Sequence, residues 1–161
     1  MNILTCDKLK EITSISKALD CSLIEPFISI AEEFHIKPIL GDELYEVILN
    51  KIELNELEDE YLILVNKHLN FAISYYAWYE ASPHLLMRTE AKGIVIKDSE
   101  QSNGITSSML KEYRQSILDK AIMYKNSLKK FLIKNKDVII EYKDYSSNYT
   151  NKSSQGFFLG F

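Results

Sequence analysis

Ala31-Glu32-Glu33-Phe34-His35-Ile36-Lys37-Pro38-Ile39-Leu40-Gly41-Asp42-Glu43-Leu44-Tyr45-Glu46 sets the architecture of this chain. Before it, Phe27, Ile30, Ala31 and Phe34 recur at helical spacing and predict an amphipathic helix from Ser22 to His35. Pro26 is tolerable in the first turn of that helix, and Asp20 or Ser22 can cap it. Pro38 lacks the amide a helix interior requires and pushes Lys37 toward extended geometry, so the helix is expected to break there. Gly41 supplies a backbone conformation closed to other residues, and Asp42 is expected to cap the next helix with Glu43 in its first turn. The result is a helix, a corner and a second helix from Glu43 to Ile52, presenting Leu44, Val47, Ile48 and Ile52 on one side.

Beyond a polar, acidic connection from Glu53 to Asp59, the segment Glu60 to Ser82 is the most apolar of the chain. Its Leu, Val, Ile, Tyr and Trp residues cover nearly the whole helical circumference, which requires burial on several sides. The helix is expected to end at Pro83. Leu85 to Asp98 changes to the pattern of a short β-hairpin or flap turning near Gly93, and residues 99–104 read as exposed loop. A last long helix is predicted from Ser107 or Ser108 to Asn135, with Leu110, Ile117, Ala121, Tyr124, Leu128 and Phe131 as its apolar stripe. The expected fold is mainly α: a helical bundle of about four helices with a short β-hairpin and an extended C-terminal arm. Residues 1–136 form the helical domain, of which 1–20 are an N-terminal arm that could hold a short strand at Ile3-Leu4-Thr5, and 137–161 form the C-terminal arm.

The 161 residues carry 46 % hydrophobic side chains and a formal charge of −4, which suits one globular domain and argues against a chain whose main partner is nucleic-acid phosphate. That average conceals a polarity along the chain. Lys37 to Glu60 holds eight acids against two lysines, whereas Ile105 to Lys136 holds eight bases against two acids. Either Asp42, Glu43 and Glu46 on one side, and Lys111, Arg114, Lys125, Lys129 and Lys130 on the other, are contact residues for a partner, or the chain is a dipolar but monomeric bundle. The segment Gly156-Phe157-Phe158-Leu159-Gly160-Phe161 follows an Asn/Ser/Lys-rich linker, and an apolar segment of this kind requires a groove. Phe157, Phe158, Leu159 and Phe161 complete the set of interface candidates, either docking on another subunit or folding back on their own bundle.

Motifs that would carry catalysis do not stand out. Glu32 and His35 have the Glu-x-x-His spacing of di-iron bundles, but no second such pair accompanies them, so no metal is expected. No Gly-x-Ser-x-Gly, P-loop or dinucleotide-binding glycine pattern occurs, so neither an enzyme nor a cofactor is expected. The cluster Tyr75-Tyr76-Ala77-Trp78-Tyr79 reads as core or interface more readily than as a ligand box. Cys6 and Cys21 lack the spacing of a metal site or a disulfide framework and are expected as reduced thiols. The N-terminus lacks the basic flank and apolar run of a signal peptide, no window could span a membrane, and the two glycosylation sequons at Asn148 and Asn151 are expected to be accidental.

The succession Ala31, Glu32, Ile36, Pro38, Leu40, Gly41, then Asp42, Leu44 and Tyr45, a long aromatic helix, a Lys-Gly hairpin and a final long helix resembles the small head-to-tail connector proteins of tailed bacteriophages, closest to the type in phages and prophages of Bacteroides-like bacteria. The resemblance spans Ser22 to Asn135. It implies a structural virion protein in the neck region, assembled in the host cytoplasm as a ring of identical subunits, typically twelve. Such a ring contacts the portal protein on one side and a further ring or tail protein on the other, with DNA passing through its lumen without specific binding. The other reading of the same residues is a cytosolic helical-bundle interaction or regulatory protein with a partner-binding tail.

Overall fold

The computed structural model describes residues 2–90, 93–96 and 107–143. Its elements are α1 (Cys6–Ile12), a 3-10 turn (Cys21–Leu23), α2 (Glu25–Ala31), a π turn (Glu32–Ile36), α3 (Lys37–Leu40), α4 (Asp42–Glu53), α5 (Asp59–Ile63), a second π turn (Leu64–Leu69), α6 (Asn70–Leu86), a hairpin of β1 (Met87–Glu90) and β2 (Gly93–Ile96), and α7 (Ser107–Lys134). The mainly α expectation holds, with the hairpin as a small side element whose antiparallel register pairs Glu90 with Gly93 and Met87 with Ile96. The bundle has a fifth helical rod. The N-terminal arm contains α1, capped by Thr5, whose hydroxyl accepts from the Lys8 amide at 3.3 Å, with Asp7 in the first turn.

Two prolines expected to end helices are instead carried inside them. At the first, the π turn widens the rod so that the Lys37 amide reaches the Glu32 carbonyl, and Pro38 stands in the opening turn of α3, where its missing amide costs little. The extra residue of the π turn also shifts the buried face of the rod. Ile24, Ile28, Ala31, Ile36 and Leu40 are fully buried, while Phe34, expected in the apolar stripe, is 71 % exposed. At the second, the Ser82 hydroxyl donates to the Tyr79 carbonyl at 2.9 Å, the group Pro83 leaves without its helical donor, and α6 runs on to Leu86.

The corner after α3 rests on Gly41, whose φ of 78° and ψ of 159° suit a residue without Cβ. Gly41, rather than the expected Asp42, is the N-cap of α4; Asp42 is already the first helical residue. The far end of α4 closes as a Schellman motif. Asn55, at φ 56°, donates to the Ile52 carbonyl and Glu56 to that of Lys51.

The central element is α6. Ala72, Ile73, Ala77 and Ala81, with Leu69 just before the helix, are fully buried, and α2 packs on one flank and α7 on the other. Its alanines let both neighbours approach closely. Ile117, Ala121, Leu128 and Leu132 form the buried stripe of α7, flanked by half-buried Leu110, Tyr124 and Phe131. The aromatic cluster lies largely in the α6–α7 seam: Tyr75 and Phe71 meet Tyr124 at 5.1 and 5.2 Å, and Trp78 meets Tyr113 edge-on at 6.0 Å.

Two further expectations are corrected. Cys6 and Cys21 are joined by a disulfide with their Cα atoms 5.8 Å apart, because α1 folds back across the start of α2. The arm placed from residue 137 onward begins inside the packed body: the chain turns after α7, Ile139 is fully buried, and the Tyr61 hydroxyl donates to Glu141.

Candidate functional site

The opening stretch proves to hold, among the described residues, the most deeply buried ionisable group. Glu32 is 1 % exposed, because the π turn aims it inward between the N-terminal arm and α4. One carboxylate oxygen accepts from the Leu4 amide at 3.0 Å, the other from the Tyr45 hydroxyl at 2.9 Å. Burial raises the Glu32 carboxyl above the ordinary range, opposed by hydrogen bonds from the amides of Leu4 and Ile3 and from Tyr45. Burial also raises Tyr45, and the Glu32 charge adds to it. Three chain segments converge on one carboxylate, so its role is to hold the arm against the bundle.

His35, the other half of the Glu-x-x-His pair, faces elsewhere. Its ring stacks on Tyr76 at 4.1 Å and its Nε2 lies 2.8 Å from Glu80, which ties the π turn to α6. His68 lies within hydrogen-bond reach of Ser127, Nδ1 to Oγ 3.2 Å, and is packed against Phe131 at 4.5 Å; burial lowers its pKa. Both partners lie within helical segments, where backbone amides are committed to helical bonding, and no carboxylate hydrogen-bonds His68 among the described residues. Among the same residues no group of three His, Cys, Asp or Glu is placed to hold a metal ion.

The candidate contact residues lie on separate elements. Asp42, 90 % exposed, sits 3.7 Å from Lys37, and Glu43 pairs with Lys143 at 2.5 Å; Glu46 is exposed on the same helix. Arg114 is drawn inward, its guanidinium stacked over Tyr79 at 4.5 Å, which makes it part of the α6–α7 seam. Lys111, Lys129 and Lys130 are exposed and Lys125 half-buried along α7, none within ion-pair distance of an acid among the described residues. Ile122, between Lys111 and Lys125, and Ile133, just after Lys130, are 42 % and 50 % exposed. The acids of α4 and the bases of α7 thus do not meet within one chain. Phe157, Phe158, Leu159 and Phe161 lie outside the described residues.

A feature that the sequence does not announce is a half-open cleft of about 420 Å³ at the end of the bundle where α6 finishes and α7 begins. Its walls include Ile15, Leu19, Phe27, Trp78, Leu85 and Tyr113, with Ser14, Ser16 and His84 at polar positions. The link between α1 and α2 forms one wall, a placement that local periodicity does not reveal.

Residues 36–155 match the family described as "Family of unknown function (DUF6712)", and the chain belongs to that family. No curated protein and no solved structure matches it.

Proposed function

We propose that this DUF6712 member is a structural, non-enzymatic subunit that assembles with copies of itself into a head-to-tail ring, and that the ring joins a phage capsid portal to the tail. The observation that carries the reading is the separation of its charges: an acidic face beginning at Asp42, Glu43 and Glu46, and a basic face on α7 with exposed isoleucines between its lysines. A closed ring requires one surface of a subunit to meet a different surface of the next, and two complementary faces on separate helices supply that arrangement. The virion role rests on the resemblance of the Ala31–Tyr45 motif and the element succession to phage connector proteins. The absence, among the described residues, of any helix long and apolar enough to cross a membrane is compatible with it.

The pairing is steered by charge, so it weakens with salt. Sedimentation of the full chain at low and high ionic strength tests it. A species several times the 18.7 kDa monomer that recedes as salt rises is expected. A chain that stays monomeric under all conditions and never joins purified particles overturns the reading in favour of a monomeric interaction protein.

A further inference from the structure

We infer that the apolar segment Phe157-Phe158-Leu159 of one copy seats in the 420 Å³ cleft of the next, so that the cleft is the receptor half of a second, apolar subunit contact. The inference rests on the self-assembly reading and adds a specific occupant to it. The cleft has the size and the aromatic lining of sites that take compact apolar groups, in the range of about 300–1,000 Å³. Leu23 and Tyr113 at its walls are 44 % and 46 % exposed, so large apolar surface there awaits a cover.

The path of the chain favours a neighbour over the same molecule. The described chain ends at Lys143, which is tied to Glu43 at the start of α4, and Glu141 is bonded to Tyr61 before the second π turn. Trp78, His84 and Leu85 of the cleft lie at the opposite end of that rod. From Tyr61 to His84 a helix rises about 35 Å. Phe157 follows Lys143 by 14 residues. A coil of that length averages roughly 20 Å between its ends and reaches about 48 Å only when fully stretched. Filling its own cleft would stretch the segment well beyond its average span, which lowers its effective concentration there. A neighbour stacked head to tail brings a cleft to the end where the segment begins.

Trp78 is the only tryptophan and lines the cleft, so its emission reports occupancy in the full chain. The expected result is an emission shift that grows with protein concentration, vanishes in the Phe157→Ala, Phe158→Ala, Leu159→Ala triple variant, and weakens at least tenfold in apparent affinity in Leu23→Glu. Leu23 is exposed enough for that change to leave folding intact. Mixing the triple variant with Leu23→Glu leaves one sound segment and one sound cleft, and is expected to give a 1:1 dimer resistant to salt. A shift independent of concentration, with loss of thermal stability in the triple variant, means the segment fills its own cleft and overturns the inference. Salt-sensitive assembly that the triple variant retains in full also overturns it while leaving the charge-paired ring standing. A monomer in every variant and condition overturns both.

Discussion

The two flanks of α6 settle their polar groups in opposite ways. On the α2 flank, Glu32, His35 and Tyr45 are buried or half-buried, and each has a named partner across elements. On the outer face of α7, Lys111, Lys129 and Lys130 face solvent beside Ile122 and Ile133. A buried polar network fixes one arrangement of the chain, because each member left alone in a low-dielectric interior is costly. An exposed mixture of lysine and isoleucine adds little to the stability of the monomer and leaves a surface free to recognise something else. The difference separates residues that make the fold from residues available for assembly.

Substitutions on the two flanks should therefore differ sharply. Glu32→Ala strands the amides of Ile3 and Leu4 and the Tyr45 hydroxyl, and should lower stability by about 4 kcal/mol in urea unfolding. Glu32 also carries a pH signature. Its folded pKa is raised, so the native state holds the proton more tightly than the unfolded chain. Its contribution is fully present below the ordinary glutamate value of about 4.3 and is lost as pH rises through the raised value. The Glu32→Gln variant should show a flatter stability profile across that window, and an unchanged profile would place the carboxylate in water.

Next in size is the Cys6–Cys21 disulfide, which closes a loop with a sequence separation of 15. Its reduction, or Cys6→Ser with Cys21→Ser, should cost about 3 kcal/mol and free α1 to exchange its amide hydrogens before α6 does. Ser82→Ala removes the donor to the Tyr79 carbonyl beside Pro83 and should cost about 1 kcal/mol in the same assay. Reversing Lys111, Lys129 and Lys130 to Glu should change monomer stability by less than about 0.5 kcal/mol per site. A large loss there would mean the α7 face is part of the fold, and the contrast between flanks would fail.

Elements governed by a local rule are legible in the residues alone. The bounds of α7 and α4, the demand for Gly41 at the corner and the hairpin before α7 come from periodicity, caps and backbone sterics. The errors cluster where a tertiary contact outvotes the local rule. Pro38 and Pro83 signal helix ends by themselves, yet a π turn accommodates one and a serine hydroxyl serves the carbonyl beside the other. The same π turn carries Phe34 out to solvent and Glu32 inward, against a strict 3.6-residue period. The signals for α1 are present in Thr5 and Asp7, a cap and a first-turn acid, but its short run of apolar residues masks them. The disulfide depends on a fold-back that cysteine spacing does not encode. Of the contact candidates, the exposed positions of Asp42, Glu43, Glu46, Lys111, Lys129 and Lys130 are readable from charge patterning, whereas the stacking of Arg114 on Tyr79 is not.

The central claim is that α4 of one copy meets α7 of the next, and a charge swap tests it most directly. The mass of the full chain in solution is measured for the wild type, for Lys111→Glu, Lys129→Glu, Lys130→Glu, for Asp42→Lys, Glu43→Lys, Glu46→Lys, and for the two variants mixed. A wild-type mass that is a multiple of 18.7 kDa, a smaller mass for each variant alone, and recovery of the wild-type mass on mixing is the predicted result. A wild type that remains at 18.7 kDa, or an oligomer indifferent to both reversals, contradicts it.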